Sequence, residues 1–379
     1  MAGGLPSDAR GWRERARTFA TRSIVPIAQR IDREDRVPDE LVRGLAESGF
    51  LGLGIPTDWD GHGGDARSTV AVLEELSRAS AAIGVLVAVH LSVCSMPILM
   101  WGTDSQRERF LRPLARGELL GAFALTEPNA GSDTASLRTR YTKTHDGFLL
   151  EGTKTFISNG VSAGVVLAFA TRDPSLGHRG ITAFIVPPGT AGFSVAQRFD
   201  KLGMRGSETA ELVLHEVHLP PESLLGTEGE GLHVALGALQ GGRVGIASCA
   251  LGVAEAAFAE MAKSVANEDA DWKRTLLARA YADLASARAL VTLAAERKDA
   301  GLPYLHDASV AKLVASRAAV EIASAGIDVA GPAAVRSGAV AERLLRDARV
   351  FPIVEGTTEI QELILARGLL SSGGGRNPL

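Results

Sequence analysis

Near the end of the chain one carboxylate stands at the edge of an apolar run, in Phe351-Pro352-Ile353-Val354-Glu355-Gly356-Thr357-Thr358-Glu359-Ile360-Gln361. Apolar neighbours disfavour the ionised form of Glu355 and raise its pKa from a free value of about 4.3. That brings it toward the range in which a carboxylate serves as a general base near neutral pH. In isolation, Glu-Gly-Thr ahead of a helix also reads as a helix-start acid favoured by the dipole. Its company argues for chemistry: far upstream, Phe123-Ala124-Leu125-Thr126-Glu127-Pro128-Asn129-Ala130-Gly131-Ser132-Asp133 is equally unlike ordinary turn sequence.

Four stretches occur in order: Thr126 to Asp133, Lys154-Thr155-Phe156-Ile157-Ser158-Asn159, Arg346-Asp347-Ala348 and Glu355-Gly356-Thr357. Together they resemble the T-E-P-x-A-G-S-D, K-x-W-I-T/S-N, R-D-A and E-G-T segments of the acyl-CoA dehydrogenase family of flavoproteins, and the resemblance covers nearly the whole chain. It implies FAD-dependent α,β-dehydrogenation of an acyl thioester, carried by coenzyme A or an acyl carrier protein, to the trans-2-enoyl thioester. Glu355 would be the base and flavin N5 the hydride acceptor, a role side chains cannot fill.

The same resemblance implies the contacts. Phe123, Leu125, Thr126, Gly131, Ser132, Phe156, Ser158, Thr357 and Glu359 would hold FAD, with Thr126 and Ser158 at the flavin ring and Phe156 where an indole usually lies. Ser132, Arg243, Glu355 and Gly356 would meet the substrate, and the Glu355 N–H would donate to the thioester oxygen as it becomes enolate-like. Thr-Glu-Pro and Gly-Ser-Asp are also good turn formers. Some relatives carry the base one residue before an Arg on the first bundle helix; here that position is Gly242, before Arg243, so Glu355 has no competitor. An electron-transferring flavoprotein or similar acceptor and a homodimer or homotetramer are the implied partners. An oxidase or flavin monooxygenase on the same fold is the nearest alternative, and a non-catalytic thioester-binding protein the alternative from another class.

One region departs from the family. Where an R-x-x-F-G stretch and a following Gln hold the adenine end of FAD across a subunit interface, this chain has Val265-Ala266-Asn267-Glu268 and Thr275. The Q-x-x-G-G-x-G counterpart is Asp328-Val329-Ala330-Gly331-Pro332-Ala333-Ala334, so most of the glycine that lets backbone approach closely is gone. A weaker hold on the adenine end is one expectation; substitution by Lys273, Arg274 or Arg279 is the other.

The elements that must position these residues follow from periodicity. From about residue 8 to 120, apolar residues recur three or four apart, as in Trp12, Ala16 and Phe19, which predicts helices. Between 121 and 235 the period shortens; Val165 to Ala170, Ile181 to Val186 and Glu211 to Val217 predict strands of a small middle domain. From 236 to 370 the helical period returns, as in Ala247, Leu251, Ala254, Phe258 and Met261, and predicts an antiparallel bundle. The expected architecture is mainly α with a central β-domain: N-terminal helices, a barrel-like middle domain, a C-terminal four-helix bundle and a flexible Gly/Ser-rich tail over 371–379.

Composition sets the outer limits. The 379 residues are 46% hydrophobic and 22% charged, enough for a sizeable core and two or three domains. A net charge of -4 with interspersed signs argues against nucleic-acid binding. Runs such as Arg13-Glu14-Arg15 and Asp32-Arg33-Glu34-Asp35-Arg36 read as solvated helix faces. Cys94 and Cys249 lie in apolar sequence and read as packing thiols of a reducing compartment. The histidines do not gather into a metal site, and His215 and His218 are expected on opposite faces of a strand. No apolar stretch looks long enough to span a bilayer and the N-terminus lacks a signal pattern, so a cytoplasmic protein without membrane insertion is expected. Neither G-x-G-x-x-G after a strand nor G-x-S-x-G occurs, which disfavours a nicotinamide enzyme or a serine hydrolase.

Overall fold

The structure is a computed structural model that describes residues 8–187, 189–266 and 270–371. Asn267, Glu268, the tail beyond Ser371 and the first seven residues lie outside the described residues. The N-terminal helices are α1 (Ala9–Phe19), α2 (Ala28–Glu34), α3 (Asp39–Glu47), α4 (Ala66–Ala79), α5 (Ala81–Ala88), α6 (Met96–Trp101), α7 (Asp104–Gln106) and α8 (Arg112–Ala115). Asp8 and Asp65 cap α1 and α4 by accepting from Gly11 N and Ser68 N, satisfying donors that a helix start leaves open. A π-helical stretch, Val89–Ser95, joins α5 to α6.

Among the described residues eight strands follow: β1 (Gly121–Ala124), β2 (Arg140–Lys143), β3 (Phe148–Ser158), β4 (Val165–Thr171), β5 (Ile181–Val186), β6 (Phe193–Arg198), β7 (Thr209–Leu219) and β8 (Leu224–Leu225). They form one sheet in the order β6-β7-β3-β2-β4-β5-β8, with β1 added in parallel to β4. The sheet is open, not barrel-like, because β6 and β8 end it without pairing to each other. On β7, Glu216 adopts φ 51° and the register against β3 slips between Gly152 and Leu150. This bulge resets the alternation, so His215 and His218 are both exposed instead of facing opposite ways.

The chain closes with α9 (Gly231–Val265), α10 (Asp271–Asp299), α11 (Leu305–Ala330), α12 (Val340–Ala348) and α13 (Thr358–Ser371). Helices α9, α10 and α11 pack on one another, α13 lies on α11, and α4 runs along α9. One apolar cluster therefore unites both helical regions, from Trp12 and Leu73 to Leu251 and Ile322.

Two expectations change here. Three helical segments, Ala81–Trp101, Gly231–Val265 and Leu305–Val335, are by length and composition apolar enough to cross a membrane. In the first two, 78% and 72% of the apolar window is buried inside the protein; a helix wrapped by other helices must be apolar all round, as a membrane span is. The charged runs are also less solvated than their sequence implies. Arg13 and Arg17 reach the buried Glu74 and Glu75 of α4 at 2.7 Å each, Arg288 of α10 joins Glu74 at 2.6 Å, and Asp32 pairs with Arg346. Cys94 and Cys249 are buried and free, and burial pushes both thiols up to about 12, which keeps them unreactive.

The α4–α9 crossing depends on Gly252, whose Cβ position is filled by Glu74 O, with Arg78 N and Ser77 Cβ each 3.0 Å away. Gly252→Ala is expected to cost about 1–3 kcal/mol by overpacking, read as a lower midpoint in urea with an unchanged slope; an unchanged midpoint would show that the crossing adjusts freely.

Candidate active site

The site has a sheet side and a helix side. On the sheet side, Glu127 and Ala130 exchange backbone hydrogen bonds at 3.0 and 3.1 Å and close a tight turn around Pro128-Asn129. The buried Glu127 carboxylate accepts from Arg138 N at 2.5 Å, Thr139 N at 2.9 Å and the Lys154 ammonium at 2.7 Å. Burial opposes the charge on Glu127, but Lys154 and these donors leave its pKa below the ordinary value. Lys154 is fully buried and also donates to Leu125 O at 3.2 Å; burial pulls it down to about 8 against the pull of Glu127. This pair ties the first two sequence motifs together. Removing one partner would strand a buried charge, at a cost of about 3–5 kcal/mol.

The end of β3 is aimed by the same ties. Thr155 N donates to Thr126 O at 2.9 Å, and the Asn159 amide donates to Leu86 O at 3.2 Å and Gly121 O at 3.1 Å. Between these anchors Phe156 and Asn159 adopt φ 57° and 61°. The left-handed conformation is costly for an aromatic residue, and it holds the Phe156 ring 63% exposed, stacked on Phe199 at 4.8 Å. Ser158, two residues on, and Thr126, joined to the residue before Phe156 by that backbone bond, are both half-buried. An exposed aromatic plane with hydroxyls beside it fits a flat ring with polar edges, as FAD requires.

Phe123 and Leu125 contribute differently from their neighbours. Phe123 packs edge-on to Phe169 at 5.0 Å and Leu125 is buried in the same apolar cluster, so their side chains are committed to the core and their backbone is what remains for a cofactor. Gly131 is exposed, and a methyl built there would meet nothing within 4 Å of the chain. Ser132 and Asp133 share a cavity of about 350 Å³ with Ile360, Leu363, Ile364 and Arg367 of α13. The turn and the last helix thus meet, with Arg367 supplying a positive charge that the motifs did not reveal.

On the helix side, Arg346-Asp347-Ala348 is a brace. Arg346 grips Asp32 with two hydrogen bonds of 2.9 and 2.7 Å and bonds Leu202 O at 3.1 Å. Asp347, buried and pushed up to about 6 by burial, accepts from Met204 N at 2.6 Å. Glu355 follows in a turn with φ 52°, and Gly356 with φ 96°. The Glu355 Oε2 is sealed from solvent and has no hydrogen-bond partner; it occupies the space a Cβ on Gly242 would take. Burial pushes this carboxyl up to about 7, and Arg243 and Lys312 pull it partly back.

Arg243 is buried and its Nε lacks a hydrogen-bond partner; burial opposes its charge while Glu355 and Tyr304 favour it. Thr357 caps α13, its hydroxyl accepting from Ile360 N at 3.4 Å, and Glu359 is exposed in the first turn. Glu355, Gly356, Thr357 and Arg243 therefore form one group, Thr126, Phe156 and Ser158 another, with Ser132 facing α13. Motif reading missed Lys312 and Tyr304. The signal was present for Lys312, a lone charge in the buried stripe Ala308, Ala311, Ala315, Ala319 of α11.

In the departing region, Val265 ends α9 and the Thr275 hydroxyl is turned back onto Asp271 O at 2.9 Å. Gly331 keeps a positive φ of 69°, but Pro332, Ala333 and Ala334 run on in a 3-10 turn with Ala334 buried. Among the described residues no cluster of His, Cys, Asp and Glu could hold a metal ion.

Residues 6–118, 122–217 and 229–370 match the N-terminal, middle and C-terminal domains of acyl-CoA dehydrogenase in turn. An acyl-CoA dehydrogenase of Bacillus subtilis (strain 168) is 42% identical over 367 residues, covering 94% of this chain and 97% of the relative. A short-chain specific acyl-CoA dehydrogenase of Clostridium acetobutylicum is 39% identical, covering 93% and 96%. The structure of butyryl-CoA dehydrogenase from Megasphaera elsdenii superimposes with a TM-score of 0.94 at 36% identity, covering 98% of this chain and all of that one. With three domain matches in the order of the fold and relatives as much as 42% identical over most of its length, the chain belongs to the acyl-CoA dehydrogenase family of FAD-dependent oxidoreductases.

Proposed function

We propose that Glu355 is the base of this acyl-CoA dehydrogenase and that it removes the α-proton of a short acyl-CoA. FAD, when bound, supplies the two-electron acceptor. The observation that carries the reading is the Glu355 carboxylate itself: its Oε2 sealed and without a hydrogen-bond partner, seated over Gly242, and the group raised to about 7. A carboxylate so placed has its lone pairs available for a proton and a pKa matched to neutral pH. Arg243 lies close enough to favour the charge on Glu355 and offsets part of the burial that disfavours it. The Glu355 N–H is the proposed donor to the thioester oxygen, where it strengthens as negative charge develops.

The naming of relatives as short-chain specific supports a short acyl group. The exposed Trp272, Tyr281 and Leu293 of α10 support self-association.

Glu355→Gln is expected to leave folding and flavin binding nearly intact and to slow substrate-dependent flavin bleaching by about 10³-fold. In the wild type the base must be ionised, so kcat/KM should rise with pH through about 7 and level off above it. A stopped-flow rate within about tenfold of wild type in the Gln variant would remove Glu355 from the role.

The acceptor and chain-length readings are tested in one panel of straight-chain acyl-CoAs. Turnover is expected to be fastest with short chains, and faster with an electron-transferring flavoprotein or a ferrocenium dye than with dioxygen. Preference for long chains would sink the first reading, and hydrogen peroxide formed at the dye-supported rate the second.

The altered adenine region leads to a third expectation. FAD should dissociate partly on gel filtration, and added FAD should raise the melting temperature in a concentration-dependent way, because a ligand of the folded form stabilises by mass action. Full flavin occupancy after extensive dialysis, with no thermal shift on adding FAD, would show that other residues rebuild this end of the site.

A further inference from the structure

We propose that Lys312 of α11 is a positioning residue for the base: it clamps the turn that aims Glu355 over Gly242 and keeps a second positive charge beside the carboxylate. The inference rests on the reading of Glu355 as the base. Lys312 is fully buried, and its ammonium donates to Gly356 O at 2.7 Å. The Gln361 amide donates to the same oxygen at 2.9 Å and to Glu355 O at 3.4 Å. These bonds fall on two consecutive residues with left-handed φ, 52° and 96°, the first of which carries a side chain. Such a turn persists only where its surroundings over-determine it, and the paired donors on one carbonyl do so here.

A neutral donor would have sufficed to satisfy a backbone carbonyl, so burying a whole ammonium there calls for a second reason. Burial disfavours its charge. Glu355 and Glu359 both favour it, and the result is an ammonium brought down to about 8. The titratable and charged groups that face the Glu355 turn are Arg243 and Cys249 from α9, Tyr304 ahead of α11, Lys312 from α11 and Glu359 from α13. Cys249 and Tyr304 stay neutral near pH 7, burial raising both. Arg243 and Lys312 are the cations in this set. They approach the carboxylate from different helices, so each can be changed without the other.

The test uses the full-length, FAD-loaded enzyme with butyryl-CoA, comparing wild type, Lys312→Met, Lys312→Gln and Lys312→Arg, with Glu355→Gln as reference. Lys312→Met loses bond and charge; it is expected to lower kcat by about tenfold or more with KM little changed, and to move the acid limb of kcat/KM up by about one pH unit. Lys312→Gln keeps a donor for Gly356 without the charge, so the limb should move while much of the rate at high pH survives. Lys312→Arg keeps the charge, and its limb should stay near that of wild type. Infrared difference titration of the carboxyl band that Glu355→Gln removes should show the same ordering without turnover. Because Gln is close in size to Lys, that variant and its infrared titration remain decisive if Lys312→Met does not fold. An unmoved limb and an unmoved carboxyl titration in Lys312→Gln would overturn the proposal, as would loss of melting temperature and rate in all three variants with no such shift. If Glu355→Gln itself keeps its rate and its limb, the base reading fails, an outcome distinct from a normal Lys312→Gln beside an inactive Glu355→Gln.

Discussion

One oxygen of the Glu355 carboxylate is held where water cannot reach it, and the architecture around it follows from that constraint. An isolated ionised carboxylate in an apolar interior is very unfavourable. This chain seats Glu355 against the one stretch of α9 that presents no side chain, Gly241-Gly242, and places Arg243 and Lys312 within electrostatic reach. The compensation is incomplete by design of the surroundings: burial outweighs the two cations, and the group ends near 7, poised between its two protonation states.

Holding that balance needs rigid supports on several elements. The R-D-A segment does not face the carboxylate; it bolts α12 to α2 and to the loop at Leu202–Met204 through Asp32 and Met204. That fixes where the turn at Glu355 begins. α13 then starts at once from Thr357, so the turn is held at both ends. Gly203 is part of the same joint, since a side chain there would run into the backbone of Arg346 and Asp347.

The sheet side solves a different problem, presenting an exposed aromatic plane on a rigid mount. The Glu127–Lys154 pair is buried beneath it, and Asn159 stitches β3 to both β1 and α5. Motifs that read as cofactor contacts are in part internal fasteners: Lys154 and Asn159 point inward, whereas Phe156 and Ser158 remain accessible. Alternation along β3 explains the division, since successive side chains face opposite ways and the irregularity between Lys154 and Ile157 turns Phe156 outward.

Much of this was legible in the sequence. The helical period of Trp12, Ala16 and Phe19, the strands at 165–171 and 181–186, the order of the four motifs and the apolar flank of Glu355 are local properties, and local patterns survive folding because burial follows periodicity. Interactions across long separations were not legible. Nothing near Arg13 announces Glu74, and nothing near Asp32 announces Arg346, so charged runs that read as solvated turned out to be partly anchored. The bulge at Glu216 reversed the facing of a histidine, and helices long and apolar enough to cross a membrane were passed over in the sequence; two of them have most of their apolar window buried in the protein, because protein and lipid interiors ask for the same side chains. The chain by itself determined which residue types were available to bind a flavin and take a proton. Only the tertiary structure decided that Gly242 and Arg243, Lys312, and Glu355, on three separate segments of the chain, come together, because the pKa of a carboxylate is set by what surrounds it in space.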